Sequence, residues 1–180
     1  MLWSDLKARR RLTGAALIAG LLLLGACGFR PLYGTGADGS SAFDDLETVQ
    51  VAPLPDRTGQ RLHNLLRDRI NPRGQPQAPR YVLQISLSED LENLAIEQDE
   101  TATRANLKLT ARFRLRSVEG DEIVFRGVSN SVNSYNIVDS QFATFVSQRD
   151  ARDRALRELS EDIRLRLATY FTRLKAEAES

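Results

Sequence analysis

One cysteine, one histidine, a run of acids and a row of arginines are the residues of this 180-residue chain whose types and spacing could do chemistry. Cys27 closes the stretch Leu24-Gly25-Ala26-Cys27, a bulky apolar residue, two small ones, then a thiol. A peptidase that draws the backbone into a narrow site needs small residues before its cut. The thiol left at the new N-terminus can then hold a diacylglycerol through a thioether. The acids Glu89, Asp90, Glu92, Glu97, Asp99 and Glu100 could supply a carboxylate pair for glycoside chemistry, or form the solvated rim of a hairpin. His63 has no cysteine or serine motif beside it and reads as a structural helix histidine. Arg104, Lys108, Arg112, Arg114 and Arg116 occupy even positions of one extended segment, at about 6–7 Å per two-residue step. Such a row suits phosphates or carboxylates, which arginine grips with two donors at once. It is equally a solvated face balanced by acids on neighbouring strands.

Much is excluded. A single cysteine allows no intramolecular disulfide and no multi-cysteine zinc site. No G-x-S-x-G and no metal-ligand spacing occurs, so the chain reads as a non-enzyme without a metal. Gly34, Gly36 and Gly39 make a formal G-x-G-x-x-G, but Pro31 precedes it and Ser40-Ser41 follows. A dinucleotide loop needs a strand before and a helix after, so this is linker. A net charge of +1 argues against nucleic acid.

The N-terminus accounts for the cysteine. Lys7, Arg9, Arg10 and Arg11 precede 13 uncharged residues, Leu12 to Leu24. That is short of the roughly 17–25 residues of a membrane-spanning helix, and it fits the apolar core of a secretory signal. Residues 1–26 carry four basic side chains and one acidic one, from totals of 25 and 24. Their removal leaves 21 basic and 23 acidic side chains. Cleavage between Ala26 and Cys27 yields a lipoprotein held by a covalent diacylglycerol and an N-acyl chain on Cys27, with no other cofactor. Two or three acyl chains, such as palmitate, make a durable anchor where one does not. Gly28, where inner-membrane retention would use aspartate, directs the protein to the periplasmic face of the outer membrane. Residues 27–45 are then a tether. Phe29, Arg30, Leu32 and Tyr33 within it pack back on the domain or dock a partner near the membrane.

Residues 46–175 read as one α+β domain, with 176–180 a flexible tail. Thr48–Ala52 is a short strand ended by Pro53 and Pro55. Asp56 to Thr58 cap a helix with Leu62, Leu65, Leu66 and Ile70 on one face. Tyr81, Leu83, Ile85 and Leu87 alternate as a strand, and the pattern blurs over Glu89 to Glu100, as a bulge or a long hairpin arm would make it. Ala105, Leu107, Leu109, Ala111, Phe113 and Leu115 give the next strand an apolar face opposite the basic row. Glu119-Gly120-Asp121 turns the chain into a further strand, Glu122 to about Asn136. A helix from Phe142 to Leu174 carries Phe145, Leu156, Leu159, Ile163, Leu167, Tyr170 and Leu174 on one stripe, interrupted by Arg152. Two helices on one face of a four-stranded, largely antiparallel sheet, in the order β-α-β-β-β-α, bury every apolar face. The Ser129–Ser134 segment supplies hydroxyls and amides to a polar surface.

Cys-Gly-Phe-Arg-Pro-Leu-Tyr-Gly, residues 27–34, resembles the opening of the lipopolysaccharide-assembly lipoprotein family LptE, its alphaproteobacterial branch above all. Ser134-Tyr135-Asn136, Asp150-Ala151 and Tyr170-Phe171 are similar to that branch. The resemblance implies an LptE-like fold and a non-enzymatic protein in the lumen of the outer-membrane β-barrel LptD. There it would assist barrel assembly and bind lipopolysaccharide on its way to the outer leaflet. A polar, water-filled lumen suits a plug with charged faces. No motif carries over lipopolysaccharide contacts, so the basic row stands on alternation alone. An accessory subunit of another envelope transport or secretion complex would share the anchor and the composition.

Overall fold

Helix α1 (Asp56–Ile70) follows a three-residue strand β1 (Val49–Val51) and turns the chain back toward a second strand parallel to it. The computed structural model describes residues 45–94 and 103–178. Asp56 starts the helix at φ +60, in the left-handed region that aspartate tolerates. Its Oδ1 accepts the Gly59 N–H at 2.8 Å. Gly59 has no room for a side chain, since a Cβ there would sit 2.8 Å from the Leu54 Cβ. Leu62, Leu66 and Ile70 are buried from the same face, each worth about 2 kcal/mol of apolar burial. Asn71 closes α1, its N–H on the Arg67 carbonyl and its side chain on the Glu47 carbonyl.

Strands β2 (Tyr81–Leu94), β3 (Thr103–Ser117) and β4 (Ile123–Ile137) form antiparallel ladders, and the sheet order is β1-β2-β3-β4. The sheet is therefore mixed, with one parallel pairing made by the α1 crossover. β2 and β3 stay in register from Tyr81↔Ser117 to Leu94↔Arg104. The acidic stretch is thus a hairpin arm as far as Leu94, with no bulge in its described part. The bulge lies elsewhere, between Leu115 and Arg116, opposite Phe125 and Ile123.

Helix α2 (Gln141–Ala178) lies on the sheet, chiefly on β4, and packs on α1. It continues through Ala178, past the expected domain end at 175. The buried face is Ala151, Ala155, Leu156, Leu159, Ile163, Leu167, Ala168 and Phe171, and it meets the odd residues of β3. Phe145 and Leu174 of the expected stripe stay 59% and 41% exposed, because nothing in α2 is buried before Ala151 or after Phe171. Phe113, Phe125, Tyr170, Phe171 and Tyr81 form a chain of ring contacts 4.9–6.0 Å apart at the C-terminal half of α2.

Candidate functional site

The sheet face away from the helices carries the basic row, as the alternation of β3 requires. Arg114 lies directly across from Arg126 of β4 and from Gln84 of β2. Arg112 sits two residues along, between Ser86 and Val128. A cavity of about 500 Å³ opens among these side chains, over the backbone at Ile85, Phe113 and Gly127. Arg112, Arg114 and Arg126 are exposed, and among the described residues no carboxylate pairs with any of them. Like charges directly opposite one another cost stability. A facing Arg114–Arg126 pair is therefore a place where an anion relieves repulsion and gains forked hydrogen bonds.

The other three members of the row have different surroundings. Arg116 is ion-paired with Asp121 in the β3–β4 turn. Lys108 stands opposite Asp90 in the ladder. Arg104, about 26 Å from Arg112 along the strand, borders a separate hollow of about 300 Å³ with Ser134, Asn136, Asp150 and Arg154. The row of five is thus not one site: two of its members meet a residue outside it, Arg126. The bulge decides that. Continued unshifted from Arg116↔Ile123, the ladder would set Phe125, not Arg126, beside Arg114. A bulge is hard to read from sequence; here it turns Phe125 inward against Phe113 and Tyr170.

In its described part the acidic run is divided between the two faces of β2. Glu89 points to the helix side and bonds Arg152 with both oxygens, at 2.7 and 2.6 Å. Asp90, its neighbour, faces the opposite side of the strand. Glu92 stands opposite Asn106. Glu97, Asp99 and Glu100 lie outside the described residues, as do Ala26, Cys27, Phe29, Arg30, Leu32 and Tyr33. His63 pairs its Nδ1 with the Ala52 carbonyl at 3.2 Å, a structural contact between α1 and the chain after β1.

The Ser129–Ser134 segment does not present all its polar groups outward. Ser129, Ser131 and Asn133 are buried beneath α2. There Ser131 and Asn133 donate to Glu158 at 2.5 and 3.1 Å, and Arg154 donates to the Asn133 side chain and the Ser134 carbonyl. The bulge sets this parity too, leaving Val128 and Val132 outside at 46% and 55% exposure.

Among the described residues no helix is long and apolar enough to cross a membrane, and no cluster of His, Cys, Asp or Glu could hold a metal ion. The fold is shared with bacterial lipoproteins. A lipoprotein from Caulobacter crescentus superposes at a TM-score of 0.60 and 22% identity, over 73% of this chain and 96% of that one. A minor lipoprotein from Acinetobacter baumannii does so at 0.52 and 18%, over 67% and 90%. The class is an α+β lipoprotein fold with an open, arginine-bearing sheet face. The chain belongs to the lipopolysaccharide-assembly family LptE, whose model matches residues 46–167. That family is one of non-enzymatic envelope lipoproteins. An uncharacterised Rickettsia prowazekii protein is 27% identical over 151 residues, 84% of this chain and 92% of the relative.

Proposed function

We propose that this chain is the lipid-anchored plug of an LptD-type outer-membrane β-barrel and that its open sheet face receives the phosphates of lipopolysaccharide. The observation that carries the reading is the facing Arg114–Arg126 pair, with Arg112 beside it, around a cavity of about 500 Å³ and without a carboxylate partner among the described residues. Val128 and Val132, exposed on the same face, offer apolar surface next to the cations, which suits an amphiphile better than a free anion. Anchorage at Cys27 on the periplasmic side of the outer membrane would put this face where such a molecule passes. The tether residues Phe29, Arg30, Leu32 and Tyr33 would dock near the membrane.

The test is capture of lipopolysaccharide by the purified, lipidated protein and by its Arg112→Glu, Arg114→Glu double variant. Loss of capture with an unchanged melting temperature supports the reading, and equal capture defeats it. Co-purification from solubilised outer membrane separates this role from its rival. An LptD-type barrel is the expected partner; an inner-membrane transporter or a secretin would assign the chain to another machine.

A further inference from the structure

The outer edge of β4 has a feature that phosphate binding does not use. Two hydrogen bonds fix the direction of the peptide groups along β3. Ser117 N–H bonds the Glu122 carbonyl on the β4 side of β3, and Val118 N–H bonds the Arg80 carbonyl on the β2 side. Odd residues of β3 therefore bond β4, and through the register beyond the bulge the odd residues of β4 from Phe125 onward bond back. The even residues Arg126, Val128, Asn130, Val132 and Ser134 turn their N–H and C=O groups outward. Arg154 reaches round and covers the Ser134 carbonyl at 3.2 Å. From Arg126 to Val132 no described residue covers the edge.

Proteins block such edges with proline, lysine, bulges or short strands. β4 is 15 residues long, its bulge lies before Phe125, and between Arg126 and Val132 it has neither proline nor lysine. We infer that β4 is completed by an added strand: an extended segment of a partner protein, apolar opposite Val128 and Val132 and acidic opposite Arg126. The charge follows from Arg126 on the edge strand, with Arg112 and Arg114 of β3 beside it and no carboxylate partner for any of the three among the described residues. A second copy of this chain fits poorly. α2 lies directly beneath β4, as the bonds from Ser131 and Asn133 to Glu158 show. Pairing two β4 edges would bring two such helices to about one strand spacing, ~4.8 Å, where packed helices need ~8–10 Å. A lone strand with no helix behind it meets no such obstacle, and the backbone pairing supplies its affinity. This inference rests on the open backbone edge; it shares Arg126 with the arginine cavity only for the acid it expects, and it holds for whichever envelope partner the chain serves.

Site-specific photocross-linking of the full lipidated chain in the native envelope tests it. A photoreactive residue at Asn130 should cross-link to a segment of another protein, and the sequence mapped there should be extended, with an acid placed toward Arg126. Val128→Pro with Val132→Pro removes two outward donors without touching the β3 ladder, and should abolish that cross-link while far-ultraviolet circular dichroism stays that of the parent. Should the proline pair unfold the chain, Val128→Lys with Val132→Lys keeps the backbone and blocks the edge by charge, and the same loss is expected. Cross-links that persist in a folded edge-blocked variant, that map to a second copy or to this chain itself, or that fail to form at Asn130 overturn the inference.

Discussion

Arg152 and Glu89 hold each other by two parallel hydrogen bonds, Nε to Oε2 at 2.7 Å and Nη2 to Oε1 at 2.6 Å, and so pin α2 to β2. Each is an anomaly in its own element. Arg152 interrupts the apolar stripe of α2, and Glu89 takes a helix-facing position, opposite Leu109, where a leucine would continue the alternation. Together they cancel. The carboxylate holds the guanidinium in its charged form, raising its pKa against the opposing effect of burial. The two side chains are 22% and 27% exposed, partly sheltered at the margin between helix and sheet.

Truncating either partner should therefore leave a charge under the helix without its counterion. Arg152→Met or Glu89→Ala is expected to cost about 1–3 kcal/mol, and the double variant less than the sum of the two. A double-mutant cycle by urea denaturation checks this, and strict additivity would show that the pair is not coupled.

The sequence and the structure agree where one face of an element is apolar without interruption. Leu62, Leu66 and Ile70 of α1 and the odd residues of β3 from Ala105 to Leu115 are buried as their periods require. The basic row was legible from the same alternation. Its true composition was not, because register across a turn depends on a bulge that propensity does not encode. That one extra residue hides Arg126 from a linear reading, buries Ser129, Ser131 and Asn133, and turns Val128 and Val132 outward. The ends of α2 depart from the periodicity for another reason. Periodicity reports what could be buried, and the sheet shelters only Ala151 to Phe171.

Gly127 of β4 has no room for a side chain over Phe113 of β3. A Cβ there would fall 2.3 Å from the Phe113 Cζ, so the ring lies flat over the glycine. Gly127→Ala should destabilise the domain by about 1–3 kcal/mol through forced displacement of a buried ring. Adding Phe113→Leu should recover part of that loss, since the clash is with the far end of the ring. A thermal melt of the single and double variants reads both effects.

Buried hydroxyls under α2 should differ in worth. Ser131 donates to Glu158 at 2.5 Å, whereas the Ser129 Oγ is buried with no hydrogen-bond partner among the described residues. Ser131→Ala should lower stability by about 1 kcal/mol or more, since it weakens a bond to a charged group. Ser129→Ala should be neutral or stabilising, because it removes an unsatisfied polar atom. Chemical denaturation ranks the two, and the reverse order would place the buried network wrongly.

Within the basic row, position should matter more than charge. Arg114 and Arg126 face each other across the ladder, while Arg116 is already neutralised by Asp121. Arg126→Glu is expected to weaken capture of lipopolysaccharide as strongly as Arg114→Glu, and Arg116→Gln much less. Titration at rising salt should show the difference shrinking as screening grows. Equal losses at all three positions would mean that the net charge of the face, not this cavity, does the binding.

Acid should loosen the joint between the helices before it reaches the core. Glu161 bonds Arg164 with both oxygens, at 2.6 and 3.2 Å, and lies 3.6 Å from Arg69 of α1. Hydrogen bonding to Arg164 holds its carboxyl below the usual value of 4.5. A carboxyl depressed in the folded state adds stability above its unfolded pKa and loses it as pH falls through the folded value. Parent and Glu161→Gln should therefore differ above about pH 5 and converge below the folded pKa. Glu161 is 45% exposed, so solvent screening keeps the gap under about 1 kcal/mol. Melting temperatures of both proteins between pH 7 and 3 measure it, and a gap that widened toward acid would mean that Glu161 is held protonated instead.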